Sequence, residues 1–396
     1  MPWKEKRKET MREEFVKRVL ACEKSKSALC REYGISRPTA DKWLARYLRG
    51  ESLSDMCRAP HSTPNRIPPE KELEIVQYRK KYPALGAVKI KRIMENDGLS
   101  GLPCARTVNN VFKRNGLITK EASEASTPYQ RFEKSRPNEM WQSDFKGNFP
   151  MRDGRRCHPL NIIDDYSRMN LCCAPLLHET FAEVRPHFER IFDEYGLPDT
   201  FLCDNGTPWG TSQSTGFTHF EVWLTELGIL VIHGRIVHPQ TQGKEERFNQ
   251  SFTKEYLKYH EIKDQAEAGR IFEEYRHFYN DIRPHMALEL AVPASRYTPS
   301  QRRYPEKIHE WEYPSGIVVR KVKSSGYITI CGQGYFLSEA FGGKEVGIRE
   351  SGKGAHLVNI YFRQFKVGQI DVEKRVFTFK RAYMTEGDPR CGAEHR

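Results

Sequence analysis

Thr200-Phe201-Leu202-Cys203-Asp204-Asn205-Gly206 is the stretch from which the fold can be read. The short apolar run Thr200–Cys203 has the length of a buried strand, and Asn205-Gly206 closes it with a tight turn. Asp204 therefore falls at the carboxyl end of a strand, where α/β sheets present groups to ligands. Upstream, Gly196-Leu197-Pro198 ends a helix predicted over Thr180–Tyr195; downstream, a helix over Phe217–Leu227 precedes a strand at Ile229–His233. Before that helix come three strand-like runs, Met140–Phe149, Leu160–Asp165 and Met169–Leu177, and after it two long helical segments, 243–260 and 264–280. Three consecutive strands followed by alternating helix and strand predict a mixed, layered α/β fold.

Two further acids complete a set around Asp204. In Trp141-Gln142-Ser143-Asp144-Phe145-Lys146, strand alternation places Asp144 on the polar face with Gln142 and Lys146, away from Trp141 and Phe145. Glu246 opens a helix after His238-Pro239-Gln240-Thr241-Gln242-Gly243. Carboxylates from two strands and one helix can meet at a sheet edge and hold hard divalent cations through oxygen. Two such ions about 4 Å apart suit in-line phosphoryl displacement. Mg2+ is expected, with Mn2+ able to substitute, because no His/Cys cluster favours zinc.

The flanks differ in texture and charge. Residues 1–120 hold 27 Lys+Arg and 14 Asp+Glu, a balance of +13; with +12 for the whole chain, the remainder sums to about −1. A basic front third on a neutral remainder indicates a nucleic-acid-binding arm, the alternative being a merely well-solvated surface. Helices are expected at 11–21, Ala28–Tyr33 and from the N-cap Ser36 to about Leu48, with Gly34 as the turn. This is helix-turn-helix spacing, with Arg37, Thr39, Lys42 and Arg46 facing outward as candidates for DNA contact. A second such unit follows the proline-rich Ala59–Pro69: helices 70–81, Gly86–Asn96 and Arg106–Asn115, with Arg106 and Lys113 as its candidates. Residues 119–137 read as a linker. Beyond Arg302, short strand-like runs separated by glycine turns, from Gly316–Lys323 to Gln364–Val367, predict a small β-barrel.

Several classes are excluded. No stretch approaches the roughly 18 apolar residues of a membrane span, and the opening Met1-Pro2-Trp3-Lys4 lacks a signal-peptide core. The ten cysteines contain no C-x-x-C pair, and Cys172–Cys173 read as buried thiols. A protein of a reducing cytoplasm without membrane contact is expected.

The motifs WQSDFKG around Asp144, DNGTPWG from Asp204 and HPQTQGKEERFNQ around Glu246 resemble the integrase core of bacterial insertion-sequence transposases, relatives of retroviral integrases. IIDDYSR (162–168), YNDIRPHMAL (279–288) and AVPASRY (291–297) match the same pattern, so the resemblance covers almost the whole chain. It implies a ribonuclease H-like core with a mixed five-stranded sheet over 138–300. Helix-turn-helix domains would occupy 1–58 and 68–118, the barrel 310–382, and a tail 383–396.

It also implies a bacterial, nucleoid-associated DNA transposase in which Asp144, Asp204 and Glu246 are catalytic and hold the metal. Such an enzyme binds the terminal inverted repeats of a mobile element, cleaves there, joins strands to target DNA, and self-associates on paired ends. The rivals are a transposase-derived DNA-binding regulator without catalysis, and a nuclease that only hydrolyses. The second Asp and the Glu lie 246 − 204 = 42 positions apart, more than in many relatives, with the extra length assigned to Thr207–Gly216. The family's G-K-x-E-R pattern selects Glu246 over Glu245, and Glu246 shares a helix face with Asn249, Gln250 and Thr253. Lys244 and Arg247 are expected on DNA phosphates. Asp164 and Asp165 read as structural acids, His238 as a residue orienting its loop, and Arg283 and His285 as packing. Trp209 reads either as a base-stacking residue or as a surface anchor.

Overall fold

The computed structural model describes residues 8–55, 67–118, 133–145, 147–210, 216–234, 243–351, 356–380 and 382–383. It divides into two compact units, Met1–Arg66 and Ile67–Arg396. The first contains α1 (Lys8–Leu20), α2 (Lys26–Glu32) and α3 (Arg37–Leu48). Ser25 and Ser36 cap α2 and α3 by accepting from the backbone N–H of Ala28 and Thr39. Phe15, Val16, Leu29, Cys30, Ala40 and Trp43 form its core.

The second unit begins with α4 (Pro69–Lys81), α5 (Ala87–Asn96) and α6 (Ala105–Arg114), closed around Ile75, Ile90, Ile93, Val108, Val111 and Phe112. Tyr82 stacks on Phe278 at 5.4 Å, joining these helices to the layer that follows. That layer is built from β1 (Met140–Phe145), β2 (Phe149–Pro150), β3 (Arg156–Asp164), β4 (Asn170–Leu176), α7 (Phe181–Tyr195), β5 (Thr200–Cys203), α8 (His219–Glu226), β6 (Leu230–His233), α9 (Gly243–Glu255) and α10 (Gln265–His277). The sheet has seven strands rather than the expected five. Its mixed centre is β6-β5-β1-β3-β4, in which β1, β5 and β6 run parallel while β3 is antiparallel to β1 and β4. The two-residue β2 and a two-residue strand at Ala382–Tyr383 add to β3 and β6. Alternation sorts the two faces. Trp141, Leu160, Ile162 and Phe201 pack with Phe188, Phe192, Phe220 and Trp223 of α7 and α8, whereas Ile163, Cys157 and Cys173 pack with Phe248, Phe252 and Phe272 of α9 and α10. Cys172 and Cys173 are free, buried thiols.

The C-terminal region is β7 (Val318–Lys321), β8 (Tyr327–Ile330), β9 (Gln333–Phe336), β10 (Glu345–Glu350), β11 (Leu357–Phe362), β12 (Phe365–Asp371), β13 (Val376–Phe379) and β14 (Ala382–Tyr383). Here the expected barrel is corrected. β13-β12-β11-β10-β7 is an open antiparallel sheet, β8–β9 is a separate hairpin, and no ladder among the described residues closes them. The reason lies in where the last strand goes: β14 leaves this sheet and pairs in parallel with β6 of the central sheet. Packing of Phe217 on Phe341 (5.2 Å) and the Lys344–Glu226 ion pair (2.6 Å) hold the region against α8. No helix among the described residues is long and apolar enough to cross a membrane. Of the tail expected over 383–396, Tyr383 belongs to β14 and the rest lies outside the described residues, as does most of the 119–137 linker.

Candidate active site

The site stands on two adjacent parallel strands. β1 and β5 pair up to Gln142 and Leu202, and Asp144 and Asp204 each lie two positions beyond, on the same face by alternation. Asp144 sits opposite Asn161 of β3. The turn after Asp204 is shaped for its carboxylate: the Gly206 N–H donates to Asp204 Oδ1 at 2.9 Å. A Cβ at position 206 would stand 3.1 Å from Oδ2, so a larger residue there makes the carboxylate give way by a few tenths of an ångström. Asn205 Nδ2 anchors the loop by donating to the Gly234 carbonyl at 3.0 Å. From behind, His233 Nδ1 donates to the Asp204 carbonyl (2.9 Å), and its Nε2 bonds Glu221 Oε1 of α8 (2.9 Å). Both of these side chains are buried, and the pair pins β6 and α8 to the acid loop.

The electrostatics are those of an uncompensated carboxylate pair. Burial first, and then the Asp204 charge, push the Asp144 carboxyl up to about 7, against a lowering by the Phe145 N–H. Burial likewise raises Asp204, opposed by the Gly206 N–H and His233. Glu179, held by His158 Nδ1 at 2.7 Å, adds negative charge to both. Asn249 of α9 reaches Asp144: its Nδ2 donates to Oδ2 at 3.5 Å, a long contact, while its Oδ1 accepts from Asn161 Nδ2 at 2.8 Å. Two half-buried carboxylates, both raised by burial and the first also by the charge of the second, are suited to a hard divalent ion.

One turn before Asn249, α9 carries the two neighbouring acids. Glu246 is exposed and accepts from Gln250 Nε2 at 3.2 Å. Glu245 is fully buried beside Phe248, and neither carboxylate oxygen has a hydrogen-bond partner of ordinary geometry. Burial and the Asp144 charge hold its carboxyl well above the usual range. The structure thus brings Asp144 and Asp204 together. Among the described residues, no trio of Asp, Glu, His or Cys side chains stands in ligating geometry.

Three of the surrounding residues are engaged within the fold. Lys244 does not point outward: it pairs with buried Asp165 and donates to the Asp165 carbonyl at 3.2 Å. Trp209 is neither a surface anchor nor free to stack on a base, being 1% exposed among Phe145, Phe188, Phe201 and Phe220. Arg46 folds back onto the Ser52 and Ser54 carbonyls and lies 5.1 Å from the Trp43 ring. In each case a burial or pairing across the fold outweighs the local pattern.

Arg37, Lys42, Arg106, Lys113 and Arg247 are exposed, with Arg37 also donating to Ser27 Oγ (2.5 Å). The Thr39 hydroxyl is bonded to the Ser36 cap at 2.8 Å. Asp164 accepts from Asn138 N–H and from Ser167, and Asp165 accepts from Lys134 N–H, as structural acids do. Arg283 is buried and grips Glu255 through two bonds of 2.5 and 2.6 Å, and His285 is buried beside it. His238 lies outside the described residues. Sequence reasoning missed the roles of His233, Glu221, Asn161 and Glu179; only Asn249, on the Glu246 face, carried a signal.

Residues 134–239 match the integrase core domain, residues 227–293 match a second integrase core model, and residues 317–378 match the C-terminal domain of IS481 family transposases. Successive stretches of the chain are thus similar to an integrase core and then to a transposase C-terminal domain. Among curated relatives it is 26% identical to the insertion element IS476 uncharacterized 39.2 kDa protein of Xanthomonas euvesicatoria, over 54% of this chain and 56% of that protein. It is 27% identical to the insertion element IS407 uncharacterized 31.7 kDa protein of Burkholderia multivorans, over 40% of this chain and 54% of that one. The chain thus spans little more than half the length of these relatives. Among solved structures, the HTLV-2 integrase catalytic core domain in complex with magnesium overlays 41% of this chain and 97% of its own, at 18% identity and a TM-score of 0.32. An overlay that loose supports no conclusion by itself.

Proposed function

We propose that this chain is a DNA transposase that cleaves and joins DNA strands by in-line phosphoryl transfer, with Asp144, Asp204 and Glu246 as its acids. The observation that carries the reading is the uncompensated Asp144–Asp204 pair at the ends of β1 and β5. When bound there, Mg2+ supplies activation of the attacking oxygen and stabilisation of the leaving one. The chain's own residues prepare the site. Asn249 holds one oxygen of Asp144, Gly206 and His233 fix Asp204, and the exposed start of α9 presents Glu246 toward solvent and substrate. The test is a Mg2+-dependent nicking and strand-transfer assay on DNA carrying the element's ends. Binding without nicking favours the regulator reading, and nicking without joining favours the nuclease.

The basic N-terminal helices are the proposed end-recognition arm, with α3 and α6 as recognition helices and a multimer gathering paired ends. Arg37 and Lys42 lie exposed on α3, where base-edge contacts are made. Arg37→Ala is expected to reduce preference for the correct repeat over a scrambled duplex by about 1–3 kcal/mol if it reads a guanine. Competition binding measures this, and an unchanged preference places specificity elsewhere. Arg46→Ala is expected instead to lower the stability of the first unit, because its guanidinium bonds two carbonyls of that unit.

A further inference from the structure

We propose that the cleft between α5, α6 and the turn at Met286 seats a backbone phosphate of bound DNA, with Lys89 as its central cation; this rests on the reading of DNA as partner. The cleft is a cavity of about 440 Å3 lined by Gly86, Lys89, Ala105, Arg106, Asn109 and Met286. Lys89 is half-buried and makes no hydrogen bond or ion pair among the described residues. Its surroundings are cationic. Burial lowers its ammonium to about 8, Arg283 and Arg247 push the same way, and only Glu255 opposes them. Glu255 is already occupied by both arms of Arg283.

A cation held among cations, with its one nearby acid shared with Arg283, costs folding free energy that Glu255 offsets only in part in the isolated chain. An anion in the cleft supplies the missing partner. Arg106 is exposed and unpaired on the same rim, and the first turns of α5 and α6 open there with no side chain capping either. The cations do not stop at the cavity. Lys113 continues them along α6, and Arg247, beside Glu246, continues them onto α9. A row running from the helical cluster to the catalytic helix suits a strand of successive phosphates rather than one free anion. It would lead a DNA end from α6 toward Asp144 and Asp204.

Lys89→Met in the full chain keeps the volume and removes the charge. Without DNA, its Tm is expected to rise by about 2 °C or more. Affinity for a labelled duplex of about 30 base pairs should fall about 3- to 10-fold at roughly 0.1 M salt, with a salt slope smaller by about one. Arg106→Gln should lose affinity without the gain in Tm. Lys374→Met, which removes an exposed lysine 3.6 Å from Asp371, should leave affinity unchanged. Unchanged affinity in Lys89→Met, while the unaltered chain binds the duplex, overturns this inference alone. Failure of the unaltered chain to bind any duplex overturns the DNA reading itself. A fall in Tm refutes the uncompensated cation, and an equal loss in Lys374→Met refutes a local seat. An RNA duplex bound equally well, and weakened equally by Lys89→Met, assigns the cleft to RNA and refutes the commitment to DNA.

Discussion

Asp144→Asn or Asp204→Asn is expected to lower single-turnover cleavage and joining of a DNA end by about three orders of magnitude or more. The geometry gives the reason. Both acids stand at the same level beyond the β1–β5 ladder, and an amide in place of either removes one of the two charged groups placed there. End binding should survive, because the substitution is isosteric and the proposed recognition helices are separate elements. A second readout needs no catalysis. In metal-free protein the Asp144 carboxyl is pushed up to about 7 from the ordinary 3.8. Between those values the folded chain keeps a proton that the unfolded chain has released, so this group makes stability fall as pH rises from about 4 to 7. Asp144→Asn should remove that component and be relatively more stable than the unaltered chain at pH 8 than at pH 4. Cleavage at the unaltered rate in either variant would refute the assigned acids. An unchanged pH dependence would refute the uncompensated pair.

Local signals made most of the central layer legible. The helix read over Thr180–Tyr195 is α7, capped by the Thr180 hydroxyl, and the strand read at Thr200–Cys203 is β5 residue for residue. Periodicity, a cap and a glycine stop coincide there, so tertiary contacts had little to overrule. The C-terminal region shows the opposite case. Its strands alternate visibly, yet whether a sheet closes depends on pairings between distant edges, and a two-residue strand such as Ala382–Tyr383 has no periodicity to detect. The site divides along the same line. Asp144 and Asp204 could be placed from alternation and a strand end. Lys244 and Arg46 looked solvent-facing because their partners do not show in the flanking residues: Asp165 lies 79 positions from Lys244, and the Ser52 and Ser54 carbonyls bond Arg46 only because the chain turns back after α3. Trp209, next to an exposed turn in sequence, is drawn into the aromatic core by four rings from other elements.

Glu246→Gln is expected to abolish cleavage as the aspartate substitutions do, while Glu245→Met leaves cleavage in place and raises stability. The two neighbours differ by one helical step, and α9 sends them to opposite environments. Glu246 is exposed and, among the described residues, bonded only to Gln250, so its amide variant has little stability to lose and its carboxylate can meet a metal and DNA. Glu245 is sealed on the Phe248 and Phe252 side, where the Ile163 N–H is the one group that favours its charge and neither oxygen makes a hydrogen bond of ordinary geometry. Such burial costs about 1–3 kcal/mol for a neutral group and more for a charged one. Methionine fills a similar volume without a polar atom. The sign with pH follows from the raised carboxyl: the folded chain holds the proton above the ordinary value of 4.5, the unfolded chain does not, and stability therefore falls as pH climbs past 4.5. The gain from Glu245→Met should accordingly be larger at pH 8 than at pH 5, read from denaturant midpoints. If Glu245→Met instead loses cleavage and metal affinity while Glu246→Gln keeps both, the third acid is Glu245 and α9 must turn to deliver it.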